Sequence, residues 1–567
     1  MTSFFCNPRN LLPLLLLLQT SPPSTAAVIY NDRKNQTIRW VDCHDKVPEP
    51  LAAALNITGT TFTGTLPSSL FCGEMDVPMD YTKPFNAVTN NITIGFAMNR
   101  PKKHVIETSE DLLSYCVVVG GPGVDAASQA WGNALNLSPN LSTAFPGAAA
   151  FTGLEDFDFL ALNTRGLQFS NPLNFSSGVF FNDIPFPFPK SQAEFDQYQA
   201  AMTNFISAAI RDSTPPGIMQ HVGTIEYIQD LDALRAALGY EKLNFEGISY
   251  GTFVGMEYAA RYPNRVGQFV LDAAFPHGMP FQDMVTSQVA AANRLIQRAD
   301  AFCLIDPGCP FGQGNGSVVK AWETLLAQAQ QAPLPAPSCG PGTQCIAPVT
   351  ARHLQWAVDS SFHTIPDFPL FNLALNASLH GNASLFAYQP ANDPREGLLT
   401  PLLCSDLSMS PGMCIQFNLM DHSLRQSDPL HVVYSQIWQN LLQCSVWPFP
   451  GPRSTTLPTD LEIMWVTSDF DLALPTEMTT FAWEQAPKST LVIRHGDDHT
   501  SFWVPPPGDT AGDVARSFLR TGVMPSPRSD AAVTIIGPGK KRGPLPGAYN
   551  VPIGAVAGDM SSVENIV

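Results

Sequence analysis

The sequence predicts an α/β fold, with a mostly parallel central sheet flanked by helices and interrupted by a mainly helical insertion. Three observations carry this expectation. Short apolar runs of strand character alternate with helical stretches, as in "KLNFEG", "YGTFVGMEYAARYP" and "VGQFVLDAA" (266–274). Such alternation implies crossover connections and parallel strands. From about residue 276 to 455 the alternation stops, and stretches such as "MVTSQVAAANRLIQRADAFC" mix with Pro-rich, Cys-containing loops. It resumes with "LEIMWVTSD" (461–469) and "TLVIRHG" (490–496), separated by a helix-like segment.

Taken in order, "ITIGFAMN" (92–99) alternates like a strand, and "CVVVGGPG" (116–123) is a buried strand entering a glycine-rich loop. "FDFLALNTRG" (157–166) is a strand with a turn. In "TIEYIQDLDALRAALG" (224–239), Ile225, Ile228, Leu231, Leu234 and Leu238 fall at helical spacing, and Gly239 closes the helix. The helix after "KLNFEG" stops before Pro263. The expected organisation is a first core part over 28–275, a cap or lid over 276–455, a second core part over 456–525 and a tail over 526–567. Beyond Leu519 the chain is Gly/Pro/Ala-rich without clear periodicity, and it reads as a surface tail.

Composition narrows the partners. Apolar residues make up 44% of 567 and charged residues only 14%, as in a globular chain. A net charge of −18 opposes a nucleic-acid partner, and the longest basic run is only Lys540-Lys541-Arg542. Arg9 precedes "LLPLLLLLQ", followed by polar and small residues up to Ala27. That pattern is a secretory signal over 1–27, too short to span a bilayer, which takes about 20 apolar residues. No later segment is long and apolar enough to span, so no membrane contact is expected once the signal is cleaved. Nine N-x-[ST] sequons, at Asn35, Asn56, Asn91, Asn136, Asn140, Asn174, Asn315, Asn376 and Asn382, fit a glycosylated extracellular protein. Of eleven cysteines, Cys6 lies in the expected signal, leaving an even ten, as where disulfides persist. Cys303/Cys309 and Cys339/Cys345 are spaced for local loops, and the other pairings stay open.

The chemistry concentrates around "NFEGISYGTF" (244–253). A G-x-S-x-G arises by chance roughly 0.2 times in a chain this long, so context must decide. Ser249 stands between an expected strand and an expected helix, the setting of a nucleophile elbow. Its small neighbours permit the sharp turn, and the helix N-terminus favours developing negative charge. Two N–H groups must meet that charge. Tyr250 supplies one, and Gly121 in "VVVGGPG" is the choice for the other, since Pro122 has none. The base belongs after the last strand, where "LVIRHGDDHTSF" offers His495 and His499; His499, in the loop, is the better placed. The same run resembles metal-ligand spacing, but a strand end does not put both rings on one face, so no metal is expected. For the acid, Asp469, Asp471 and Asp272 remain open on geometry alone.

These motifs resemble the secreted tripeptidyl aminopeptidase-like (TAP-like) branch of the α/β-hydrolases, peptidase family S33. The likeness runs through "DLDALRAALGYEKLNFEGISYGTFVGMEYAARYPNRVGQFVLDAA" and covers nearly the whole chain after the signal. "IRWVDC" and "CGEMDVPMDY" resemble the family's opening, with Cys43 and Cys72 as its paired-looking cysteines. "GGPG" resembles its oxyanion loop, and "LLCSDL" and "CSVWP" resemble its TAP-like segment. The resemblance implies Asp471 as the acid, through "SDFDLALP", and His499 as the base, through "GDDHTSF". The chain departs from the family at Asn163, Gln168, Asp498 and Val119, none of them a triad position.

The expectation is therefore a secreted serine aminopeptidase that releases short peptides through Ser249, His499 and Asp471, without a cofactor. Exo-specificity requires cap acids for the substrate ammonium. Asp406 is a candidate, and equally a structural hydrogen-bonder. A histidine base must be neutral, so activity is expected to fall as pH drops through about 6.5. The rivals are an esterase acting on a small ester and a silent binding glycoprotein on the same scaffold. Oligomeric state is left open.

Overall fold

The computed structural model describes residues 38–52, 55, 61–100, 114–118, 120–136, 153–175, 189, 191–312, 316–340, 345, 347–387, 394–407, 424, 427–451, 455–501 and 511–551. The expected signal, Val119 and the sequons at Asn35, Asn56, Asn140 and Asn315 lie outside them.

Eleven strands form one sheet in the order β1-β2-β3-β5-β4-β6-β7-β8-β9-β11-β10. They are β1 (Arg39–Val41), β2 (Leu70–Val77), β3 (Ile92–Asn99), β4 (Ser114–Val118), β5 (Asp158–Leu162), β6 (Leu243–Ile248), β7 (Val266–Asp272), β8 (Ile463–Ser468), β9 (Thr490–Arg494), β10 (Arg528–Ser529) and β11 (Val533–Ile536). The run from β5 through β4, β6, β7 and β8 to β9 is parallel, and antiparallel strands flank it at both edges.

Both faces of the parallel strands are covered, which is why they read as continuous apolar runs. Along β7 and β8, Phe269, Leu271, Ile463 and Trp465 enter one apolar cluster, while Val270, Met464 and Val466 enter the other. This is the two-residue period of a strand. Helix α1 (Ala127–Asn136) contributes Trp131 to the second face, while α2 (Gln192–Asp212) packs beside the helical insertion. Helices α3 (Thr224–Leu238) and α4 (Tyr250–Arg261) cover the first face. Gly239 ends α3 at φ 87°, the left-handed conformation that glycine adopts without a Cβ clash.

Between 276 and 455 the described residues form α5 (Phe281–Cys303), α6 (Ser317–Gln331), α7 (Ala351–Phe362), α8 (Phe368–Leu379), α9 (Pro394–Asp406) and α10 (Gln436–Cys444). None of them contributes a strand to the sheet. Helices α5 to α8 share an apolar centre around Trp322 and Phe371. Cys303–Cys309, Cys339–Cys345, Cys43–Cys72 and Cys404–Cys444 are disulfides, the last joining α9 to α10. The chain then returns to the sheet through β8, α11 (Thr476–Glu484), β9 and α12 (Ala511–Thr521).

Within the expected tail, strands β10 and β11, spanning 528–536, belong to the sheet. Val533–Ile536 pairs antiparallel with Arg494 back to Leu491, and β10 pairs with β11, so the segment supplies the sheet edge. The open N–H and C=O groups of β9 impose strand geometry on a stretch too short to show a period. Among the described sequons, Asn174 and Asn382 are exposed and Asn91 and Asn376 are partly buried, while Asn136 ends α1.

Candidate active site

Ser249 sits between β6 and α4 at φ 56° and ψ −123°, a backbone conformation that costs about 1–3 kcal/mol and persists only where its surroundings hold it. Here the Ser249 N–H donates to Asp272 O at 2.9 Å, and Thr252 N–H donates to Ser249 O at 3.0 Å. The glycines of the motif are needed for contact. A Cβ on Gly247 would lie 2.6 Å from Gly251 O. One on Gly120 would lie 2.0 Å from Ser249 Cβ and 2.6 Å from Ser249 Oγ. The glycine-rich loop after β4 therefore rests directly on the serine. Gly121 follows at φ 79°, and Tyr250 opens α4, where backbone N–H groups have no partner within the helix.

The loops after β8 and β9 are cross-linked. Asp469 N–H donates to Arg494 O at 3.0 Å and Phe470 N–H to Gly496 O at 3.1 Å. They carry two Asp–His pairs. Asp471 Oδ2 and His499 Nδ1 are 2.8 Å apart, with Asp471 fully buried and its Oδ1 accepting Leu474 N–H at 2.9 Å. Asp469 Oδ2 and His495 Nδ1 are 2.7 Å apart, and His495 Nε2 meets Thr534 Oγ1 of β11 at 3.0 Å. The third carboxylate, Asp272, is also buried and accepts Ser501 N–H at 2.6 Å. Asp272 thus binds the serine turn through its carbonyl and the histidine loop through its carboxylate, holding both at one sheet end. Among the described residues no hydrogen bond joins the Ser249 hydroxyl to the His499 ring. Contacts of this kind are commonly long in an unliganded site.

The insertion reaches the histidine. His499 N–H donates to Thr364 O at 2.7 Å, and the His363 and His499 rings are 6.5 Å apart. Burial works against charge on His363, but Asp359, 3.3 Å away, outweighs it and raises its affinity for a proton. Neither residue was visible to sequence reasoning, since they lie far from His499 in the chain and on a different element.

A cleft runs along Gly121, Pro122, Thr224, Tyr250, Leu402 and Asp406. Burial pushes the Asp406 carboxyl up to about 6, although it accepts from Thr224 N–H (2.7 Å), Thr224 Oγ1 (2.6 Å) and the Tyr250 hydroxyl. Asp406 caps α3, whose N-cap residue Gly223 has no side chain to do so. Two of the departing positions also have structural roles. Asn163 Oδ1 accepts Ala127 N–H at 2.8 Å at the start of α1, next to Asp125, whose carboxyl burial pushes up to about 6. Asp498 pairs with Arg494. No group of three or more His, Cys, Asp or Glu residues among the described residues is arranged to hold a metal.

Comparison with known proteins agrees with this architecture. The family described as alpha/beta hydrolase fold matches residues 117–313, and the one described as TAP-like protein matches residues 430–531. The chain has an α/β-hydrolase fold, and its C-terminal region is similar to TAP-like proteins. The second match begins within the helical insertion and ends after β10. The chain is 26% identical to serine protease Hip1 of Mycobacterium tuberculosis over 295 residues, 51% of its own length and 50% of that protein's. The chain thus spans about half the length of that relative. It is 25% identical to tripeptidyl aminopeptidase of Streptomyces coelicolor over 439 residues, 73% of this chain and 74% of the other. An alpha/beta hydrolase fold protein from Nakamurella multipartita aligns structurally over 76% of this chain and 97% of that one, at 15% identity and a TM-score of 0.29.

Proposed function

We propose that this protein is a secreted serine aminopeptidase releasing short peptides from free peptide N-termini. The observation that carries the reading is the Asp471–His499 hydrogen bond on a loop tied through Asp272 to the Ser249 turn. Asp471 fixes the proton on Nδ1 of His499, leaving Nε2 as the base. His499 takes the hydroxyl proton as Ser249 Oγ attacks the carbonyl, and returns it to the departing amine. Water then repeats the sequence on the acyl-enzyme. The N–H groups of Gly121 and Tyr250 receive the oxyanion; losing one such donor costs about 10²–10³ in kcat. None of these steps uses a cofactor. The tripeptidyl aminopeptidase relative supports the peptide class, and the disulfides fit an extracellular location.

The test compares a free tripeptide anilide, its N-acetylated form and a p-nitrophenyl ester, together with fluorophosphonate labelling of the unmodified protein and of Ser249→Ala. The expected result is labelling lost in the variant and preference for the free amine. Preference for the ester would replace the peptidase reading by an esterase. Absence of labelling would remove the catalytic reading altogether.

A further inference from the structure

The buried cluster behind the Asp471–His499 pair has a third component, Arg298 on α5. Its guanidinium and the Asp497 carboxylate are both fully buried. Arg298 Nη2 donates to Asp497 Oδ2 at 2.7 Å, and Nε donates to Oδ1 of the same carboxylate. The opposite side of the fork is occupied as well, since Nη1 donates to Ala548 O at 2.8 Å and to Val551 O at 2.6 Å. The guanidinium carbon lies 4.7 Å from the ring centroid of Phe470, between Asp469 and Asp471. One side chain from the helical insertion therefore touches the acid loop at Phe470, the histidine loop at Asp497, and two carbonyls near the C-terminal end of the described chain. That last segment has its own attachments. Tyr549 hydroxyl donates to Asp300 Oδ2 at 2.9 Å, two residues further along α5, and Val551 is buried in the insertion's apolar centre. Arg542 donates to Thr480 Oγ1 at 2.9 Å and meets Asp469 Oδ1 at 3.4 Å.

We propose that Arg298 is a positioning residue for the Asp471–His499 pair, held in register by the C-terminal segment through Val551. The proposal rests on the catalytic reading above. Arg298 touches neither Ser249 nor His499, and it acts by fixing the two loops against each other. A planar fork with separate donors suits this geometry. A lysine, with its donors on one atom, cannot grip both carboxylate oxygens and reach two carbonyls behind it. Because Asp497 stands two residues before His499, slack at the fork becomes slack in the imidazole. A misplacement near 1 Å costs about 10²-fold in rate.

The experiment uses the full-length protein with Arg298→Lys and, separately, Val551→Asp, which expels the C-terminal segment from its apolar seat and takes its carbonyls from Arg298 without altering the Arg298 or Asp497 side chain itself. Three quantities are read. They are kcat and KM on a tripeptide anilide well below each variant's melting midpoint, the fluorophosphonate labelling rate of Ser249, and the low-field proton resonance of the Asp471–His499 hydrogen bond. The expected result is a fall in kcat and in labelling of about tenfold or more with KM changed less than about threefold, together with a shifted or broadened resonance. If both variants keep kcat within about threefold and an unchanged resonance, Arg298 only fastens the insertion and the proposal is overturned. If neither variant melts cooperatively, the cluster serves stability alone, with the same consequence. An unmodified protein that fails to label refutes the catalytic reading instead, and in that case the resonance still reports whether Arg298 orders the pair.

Discussion

Gly120→Ala probes how closely the proposed oxyanion loop must approach Ser249. The added Cβ would sit 2.0 Å from Ser249 Cβ, 2.6 Å from Ser249 Oγ and 2.6 Å from Ile248 O. Carbon–carbon contacts settle at about 3.5–4.0 Å, so the two segments must part by roughly 1.5 Å. Ser249 Oγ can rotate away, but Ser249 Cβ and Ile248 O move only with the backbone, so the separation has to come from the loop or from the turn. An oxyanion donor works at about 2.7–3.1 Å, and a displacement of this size takes Gly121 N–H out of range. The expected outcome is a loss of about 10²–10³ in kcat, equivalent to about 2.7–4 kcal/mol of transition-state stabilisation, with a smaller change in KM. Overpacking also lowers folding stability by about 1–3 kcal/mol, which thermal melting records separately. Gly132→Ala is the control. It lies in α1, a Cβ there meets nothing within 4 Å, and the exchange favours the helix by up to about 1 kcal/mol. Steady-state kinetics on a free tripeptide anilide, with fluorophosphonate labelling in parallel, measure the effect. A Gly120→Ala protein with kcat within threefold of the unmodified one would show that the loop does not hold the oxyanion.

Two further outcomes concern stability. Removing the Cys404–Cys444 disulfide by a double alanine substitution frees a loop closed over 40 residues, and the chain-entropy estimate is a loss of about 4 kcal/mol in denaturant unfolding; a loss below about 1 kcal/mol would contradict it. Asp406 has its carboxyl raised to about 6 in the fold against about 3.9 in the unfolded chain, so between those values the native state keeps a proton that the unfolded state releases. Its contribution is therefore full below about pH 4 and is lost as pH rises through about 6, at most about 3 kcal/mol. Asp406→Asn should remove that slope, and a difference between unmodified and variant stability that stays flat from pH 4 to 7 would refute it.

The elbow was legible because its requirements are local: a buried strand, a serine between small residues, and a helix starting at the next position. For the proposed base the loop position already favoured His499, whereas the acid was open among three residues until the family resemblance implied Asp471. Asp469 and Asp471, two residues apart at one strand end, have the same propensities, and only the folded loops show that each faces a different histidine. Asp272 shared their signature, yet its carboxylate supports the histidine loop through Ser501 N–H. The edge strand Val533–Ile536 was missed because its geometry comes from the open edge of β9 and not from its own sequence. His363, Thr364 and Arg298 were equally invisible. Each belongs to the insertion, and contacts made across such sequence distances leave no periodic trace. Asp406, open between two roles at the level of sequence, accepts from Thr224 and Tyr250 and so has the structural one.

The parallel pairing of β7 with β8 joins Asp272 to Val466 across the entire insertion. At about 5–20 residues per second, synthesis delivers His499 roughly 10–50 s after Ser249. Throughout that interval the emerging polypeptide contains Ser249 without the His499 that the proposed mechanism requires. On the proposed mechanism, the Ser249–His499–Asp471 set is complete only once the late strands dock.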